Sequence, residues 1–358
     1  MTKKDFLYPL RRLHGLIHEW NANRISAKRI AKTITQNTVW ILATPDHTNI
    51  GDSAIVLAEL SFLHRCGLPT AATTELTHNE CKQLFVHLRR HISRSKFICW
   101  HGGGNMGNQW MHEEFLRRDL MCQLRNVSSL IMPQTIFYTA DEYGQQTQAQ
   151  SVAVYNRKSL SIAARESESF RIMSSLYPEA NIIYTPDIVL SCTMSDFGVQ
   201  PRERNDILLC MRSDAERAMT DEQRQAVENL VSALDMPFKY TDMYSDCRVT
   251  KENRSECVRK KMDEFAGARL VITDRLHGMI FAAITGTPCI AFGNYNHKVK
   301  GTYEWISYLP YIRYVESVEE AGEVLPKLLA MKDCHYDNTP LLPHFEKLAQ
   351  VVKDHAHN

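Results

Sequence analysis

Apolar and polar positions change rhythm several times along the chain. Over the first 33 residues, Phe6, Leu10, Leu13, Ile17 and Trp20 recur at steps of four, three, four and three, which places them on one helical face. From residue 38 the pattern becomes strand then helix, repeatedly. Strands are predicted over 38–43, 96–100, 129–132, 159–164 and 182–184. Helices are predicted over 52–65, 111–125 and 147–158, with another beginning near Glu166. Residues 193–205 are polar, contain Gly and Pro, and lack periodicity, so they read as a linker. The alternation then restarts, with strands at 206–211, 237–240, 270–273 and 288–292 and helices at 221–234, 252–266, 276–285, 318–331 and 342–355.

Such alternation predicts α/β architecture built on parallel sheets. The expected organisation is a basic amphipathic helical segment (1–33), a Rossmann-like domain (34–192), a linker (193–205), a second Rossmann-like domain (206–335) and a C-terminal helix (336–358). The two domains would face each other across a cleft, with ligands beyond the carboxyl ends of the strands.

Composition narrows the classes. Of the 358 residues, 44% are hydrophobic and 23% charged, the make-up of a globular chain. Forty-two basic against 41 acidic residues leave +1, too little basic excess to argue for nucleic acid. The longest apolar stretch, 279–292, falls short of the roughly 20 residues a bilayer requires, and residues 1–33 carry no h-region of a secretory signal. The ten cysteines form no CxxC pair; several, such as Cys99, Cys210 and Cys289, lie in apolar runs, as expected of buried thiols in a reducing cytosol. Charge is unevenly spread: residues 1–33 hold eight basic and two acidic side chains, a net +6, which leaves −5 for the rest. The first helix therefore either packs on the first domain or lies on an anionic membrane surface.

Chemistry-bearing segments fall where strands end. His101-Gly102-Gly103-Gly104-Asn105-Met106-Gly107-Asn108 follows a strand and reads as a turn into a helix whose backbone N–H groups approach a ligand. Asp52 falls at a helix start, either as a cap or as a base at the cleft mouth. Arg212, Arg275 to His277 and Lys298 each follow a second-domain strand, and Arg165 follows a first-domain one. This cationic rim suits a small, densely anionic ligand.

Together, HTNIGDSAI (47–55), WHGGGNMGNQW (100–110), MPQTIFY (132–138), ARESES (164–169), TPDIVL (185–190), TDRLHG (273–278) and FGNYNHKVKG (292–301) resemble the polysaccharide pyruvyl transferase family. The family often has Asp where this chain has Asn108, and Asp where it has Glu166. The resemblance implies a GT-B-like pair of Rossmann-like domains and transfer of a pyruvyl group from phosphoenolpyruvate to a sugar as a cyclic ketal. It implies no cofactor beyond phosphoenolpyruvate as co-substrate. It makes an exopolysaccharide or capsule precursor on a lipid carrier the expected acceptor, handled in the cytoplasm at the inner membrane face.

On this reading Arg165, Arg212, Arg275 and Lys298 hold the donor. His277 is the acid or a phosphate ligand, and Asp52 is the base, with His47 as the weaker alternative. Asn49, Asn105 and Gln134 would bond acceptor hydroxyls beside Gly103 and Gly104, unless the amides merely satisfy loop backbone. Two other classes stay open: a GT-B glycosyltransferase using a sugar nucleotide, and a non-catalytic polysaccharide assembly factor.

Overall fold

A computed structural model describes residues 3–34, 39–214 and 217–357, with 3–13 and 357 described by backbone alone. After a long helix α1 (Lys3–Thr33), the first half of the chain runs β1 (Val39–Thr44), α2 (Ile50–Arg65), β2 (Thr73–Thr77), α3 (His78–Ile92), β3 (Phe97–Trp100) and β4 (Gly103–Gly107). It continues through α4 (Met111–Gln123), β5 (Ser129–Phe137), α5 (Glu142–Tyr155), β6 (Leu160–Ala164), α6 (Ser167–Leu176) and β7 (Asn181–Tyr184). The second half runs β8 (Asp206–Cys210), α7 (Asp221–Ser232), β9 (Phe238–Thr241), α8 (Arg254–Ala266), β10 (Ala268–Thr273), α9 (Leu276–Ile284) and β11 (Cys289–Phe292). It closes with α10 (Lys298–Ile306), β12 (Ile312–Val315), α11 (Val318–Ala330) and α12 (Leu342–His357).

The strands form a seven-stranded sheet of order β2-β1-β3-β5-β6-β7, with β4 beside β5, and a five-stranded sheet of order β12-β11-β10-β8-β9. All their pairings are parallel. Parallel sheets need both faces covered, so their inner strands read as continuous apolar runs; Val39 to Leu42 and Leu270 to Ile272 are fully or almost fully buried. Strand order reverses once in each sheet, between β1 and β3 and between β8 and β10. At such reversals the adjacent connections leave in opposite directions and a crevice opens beyond the carboxyl ends.

Most predicted elements are present with ends shifted by a few residues. Two pairs were not anticipated. The first is β2 with α3: β2 is a short, polar edge strand, whereas α3 buries Cys81, Leu84, Phe85, Leu88 and Ile92 at helical spacing. The second is α10 with β12, which makes Lys298 the first residue of a helix rather than a loop residue. Strand β5 is longer than expected because it runs through Pro133. A proline cannot donate to a ladder, and the register with β6 shifts between Ile131 and Gln134. The glycine-rich segment is not a turn into a helix; Gly103–Gly107 is β4, and α4 starts only at Met111.

Residues 193–205 connect the two sheets and are packed: Met194–Phe197 forms a 3-10 turn, and Phe197 and Val199 are buried. The last helix returns to the first sheet, where Phe345 meets Phe62 at 6.3 Å between ring centroids and His355 stacks on Phe97 at 4.9 Å. Helix α1 packs on α3 through its C-terminal turns, burying Ala27, with the Trp20 ring edge-on to His87 at 5.2 Å. Leu16, Ile17, Trp20 and Ile25 remain 50–60% exposed. The side chains of Phe6, Leu10 and Leu13 lie outside the described residues. Cys99, Cys210 and Cys289 are buried free thiols.

Candidate functional site

The loops that leave the strand ends of the two sheets meet in one cavity of about 310 Å³. Main chain joins its walls. Asn49, after β1, forms an antiparallel bridge with Tyr244, after β9; Ile50 N–H donates to the Met243 carbonyl at 2.7 Å and Ser245 N–H to the Thr48 carbonyl at 2.8 Å.

The second-sheet wall is an interlocked set of guanidiniums and carboxylates. Arg275 donates to both oxygens of Asp242, at 2.7 and 2.8 Å, and to Asp214 at 2.6 Å, with its guanidinium 5.0 Å from the Tyr244 ring centroid. Arg212 donates Nε–H to Asp214 at 2.9 Å and its backbone N–H to Asp274 at 2.7 Å. Burial opposes charge on Asp214, but Arg212 and Arg275 outweigh it and pull its carboxyl down to about 2. Asp274 goes the other way: burial lifts its carboxyl above the ordinary carboxylate value, against the opposing pull of the neighbouring arginines. Fixed carboxylates thus hold the arginines in rigid rotamers at the cavity wall.

Arg165 enters from the end of β6. It donates to Thr135 Oγ1 at 2.8 Å and to Asp187 at 2.8 Å, and a Cβ on Gly104 would lie 2.9 Å from its Nη2. Glycine at 104 is therefore what allows this guanidinium to approach the main chain of β4. His277, in the first turn of α9, sits 3.7 Å from Asp187, and its Nε2 is buried without a hydrogen bond among the described residues. Burial lowers its pKa below the ordinary histidine value despite Asp187. The free protein therefore holds a neutral imidazole there.

On the first-sheet wall the helix cap differs from expectation. Asn49, not Asp52, caps α2, its Oδ1 accepting from Gly51 and Asp52 N–H. This leaves the Asp52 carboxylate in the first turn, 3.6 Å from His47 Nε2 and lining the cavity. The Asn105 side chain is held from behind: its Oδ1 accepts from Arg117 at 2.7 Å and from Gln134 at 3.0 Å. Arg117 is itself anchored by buried Glu114 at 2.5 Å, which also takes Arg118 at 2.6 Å and the Tyr155 hydroxyl at 3.0 Å.

Of the residues singled out in the sequence, Asn49, Asp52, Gly104, Asn105, Arg165, Arg212, Arg275, His277 and Lys298 line the cavity, as does His47. Gln134 and Gly103 do not. Gln134 is fully buried and fixes Asn105; Gly103, at a φ of +111°, turns the chain into β4. Asn108 also lies away from the cavity and ties β4 to Thr139, accepting its N–H at 3.0 Å and donating to its hydroxyl at 2.7 Å. Glu166 caps α6 and pairs with His297 at 3.0 Å. Asp214, Tyr244, His112 and Glu113 line the cavity without having been singled out. Their signal was weak: all stand outside the glycine, arginine and histidine motifs.

The family described as polysaccharide pyruvyl transferase matches residues 49–297. General stress protein 30 of Bacillus subtilis is 30% identical over 342 residues, covering 90% of this chain and 98% of its own. Pyruvyl transferase 1 of Schizosaccharomyces pombe is 26% identical over 276 residues, covering 72% and 66%. In fold, the chain is similar to an S. aureus MnaA–UDP structure, with a TM-score of 0.53, 9% identity and coverage of 89% and 97%. It is also similar to an uncharacterized Klebsiella pneumoniae protein, with a TM-score of 0.53, 17% identity and coverage of 88% and 100%. These structural likenesses bear on fold alone. The family match covers every cavity-lining residue except His47 and Lys298, which flank it on either side. The chain belongs to the polysaccharide pyruvyl transferase family.

Proposed function

We propose that this protein transfers the pyruvyl group of phosphoenolpyruvate to two hydroxyls of a saccharide, closing a cyclic ketal on an exopolysaccharide or capsule precursor. The observation that carries the reading is the convergence of Arg165, Arg212, Arg275 and Lys298 on one small cavity with a buried neutral imidazole among them. A carboxylate and a phosphate on one short carbon frame call for fixed cations, and guanidiniums bind both bidentately. The Asp187, Asp214 and Asp242 carboxylates hold the arginines in place ahead of the ligand, which lowers the ordering cost of binding.

In the proposed reaction His277, protonated once the anionic donor lies beside it, delivers a proton to the methylene carbon. The cation developing at the central carbon is attacked by an acceptor hydroxyl, whose proton passes to Asp52. Expulsion of phosphate and attack by a second hydroxyl close the ketal. Overall, one hydroxyl proton balances the new methyl group and the other leaves on phosphate.

The test is phosphate release from phosphoenolpyruvate with and without glycoside acceptors, run beside nucleotide release from a sugar-nucleotide panel. Acceptor-dependent phosphate release supports the proposal. Nucleotide release in its place would assign the cavity to a glycosyltransferase, and neither activity would leave an assembly role.

Attachment at the inner face of the cytoplasmic membrane, where a lipid-linked acceptor would be met, is part of this proposal. Its support is the half-exposed Leu16, Ile17 and Trp20 on α1 together with the +6 charge of residues 1–33. No helix among the described residues is long and apolar enough to cross a membrane. Flotation with anionic and neutral vesicles tests it: binding should be to anionic vesicles alone, weakened by salt and lost on deletion of residues 1–33.

A further inference from the structure

The first-sheet wall carries an acid–base group that the roles above leave unused. Glu113, in the first turn of α4, stands between two imidazoles: His78 Nδ1, from α3, lies 2.7 Å from its Oε2, and His112 Nε2 lies 3.4 Å from its Oε1. The His78 contact is close but off the hydrogen-bond direction, so it acts as an electrostatic pairing. His78 is buried, whereas the His112 side chain is 61% exposed and lines the cavity with Glu113, beside His47 and Asp52. Burial alone would raise the Glu113 carboxyl; His78, His112 and Arg117 together hold it below the ordinary value, so it is ionised at neutral pH. The Trp110 ring stands edge-on to His112, 6.3 Å between centroids, and gives the same wall an apolar surface of the kind a pyranose face packs on.

Ketal chemistry asks for such a group. Two hydroxyl protons are lost in sequence from two positions on the sugar, and a single carboxylate would have to discharge the first before taking the second. Resting on the pyruvyl-transfer reading, we propose that His112, oriented by Glu113, is the base for the ring-closing hydroxyl, with Asp52 serving the first. In this step the second hydroxyl oxygen bonds to the central carbon as the carbon–oxygen bond to phosphate breaks. The bonding pair leaves with phosphate. The Nε2–H of His112 is held toward Glu113, Nδ1 takes the hydroxyl proton, and the proton passes on to the departing phosphate.

The experiment compares the parent with His112→Gln and Glu113→Gln, using phosphoenolpyruvate and methyl glycosides of glucose, galactose, mannose and N-acetylglucosamine. His112→Gln should bind phosphoenolpyruvate as the parent does and consume about one equivalent per site in a burst. Its steady phosphate release should then fall by about 10²-fold, with the open phosphorylated adduct accumulating. Glu113→Gln should show the same burst and lowered steady release with donor binding kept, partly restored in Glu113→Asp. Phosphate release at the parent's rate, or loss of donor binding in His112→Gln, overturns the assignment. Should the parent itself turn over none of these glycosides, the failure belongs to the pyruvyl-transfer reading. An acceptor-free measurement still decides the pairing. In Glu113→Gln at alkaline pH the His112 nitrogen resonances, identified by their absence from His112→Gln, should change from the single Nε2–H tautomer toward a mixture of the two; an unchanged tautomer overturns it.

Discussion

The His277 ring rests on the backbone of Gly51: a Cβ built at Gly51 would lie 2.5 Å from Nδ1 and 2.7 Å from Cγ. The two residues come from opposite sheets, so this contact sets where the imidazole enters the cavity. Gly51 lies in the first turn of α2 and is not among the glycines at positive φ, so alanine suits its local helix. We expect Gly51→Ala to stay folded with a lowered thermal midpoint, the overpacked ring costing about 1–3 kcal/mol, and to lose turnover by on the order of 10²-fold, because a displacement near 1 Å at a reacting group costs that much. A variant with parent kinetics would show that the ring can shift without consequence.

His277 should take up a proton when the donor binds. Burial keeps the imidazole neutral in the free protein at pH 7. An anionic donor beside it stabilises the protonated form, so binding should draw up to about one proton from solvent. Calorimetry in buffers of different ionisation enthalpy reads this uptake directly. It should vanish in His277→Gln, with donor binding kept and turnover down by about 10²-fold. A variant that no longer binds donor would make His277 a phosphate ligand.

Arg275 should dominate donor affinity on the second-sheet wall. Losing a hydrogen bond to a charged group costs about 1.5–3 kcal/mol, so Arg275→Ala should weaken phosphoenolpyruvate binding by roughly tenfold or more. Asp242→Asn, which keeps the arginine but loosens its fork, should weaken it less. Equal dissociation constants for parent and Arg275→Ala, in folded protein, would remove this residue from the donor site.

Asp214 should shape acid stability. Its folded pKa, about 2, lies below the unfolded value near 3.9, so its contribution is present above pH 4 and lost as pH falls toward 2. Discounted for partial exposure, that contribution is about 1 kcal/mol. Urea unfolding should show Asp214→Asn less stable than the parent at pH 6, with the gap closing by pH 2–3. A gap that persists at low pH would mean the loss is not electrostatic.

The sequence was most informative where one residue type had one physical use. Arginines and a histidine after strand ends were legible because a charged side chain at such a position has few places to go but the crevice. Asn49 and Gln134 were harder, because an amide can serve a ligand or a neighbour equally well. The fold assigns one to a helix cap and the other to the back of Asn105. The glycine run was misplaced because glycine signals freedom without direction; only the pairing of β4 with β5 shows it as a strand. Glu113 and Asp214 gave no local pattern at all, since their partners lie on other elements or are brought close by a turn.

The main-chain ties of residues 48–50 to 243–245 run along the junction of the two sheets much as a spine runs along a book. Leaves bound in this way can part at the fore-edge while their bound margins keep their alignment. The arginine cluster lies at the margin, since Arg275 covers Tyr244, whose backbone is part of the binding. Parting the leaves would therefore keep Arg212 and Arg275 with the bound margin but draw Arg165, which belongs to the first sheet, away from them. Side-chain changes cannot undo a backbone stitch, but inserting a single residue between Pro45 and Thr48 would slide one leaf past the other and put every facing pair out of step at once.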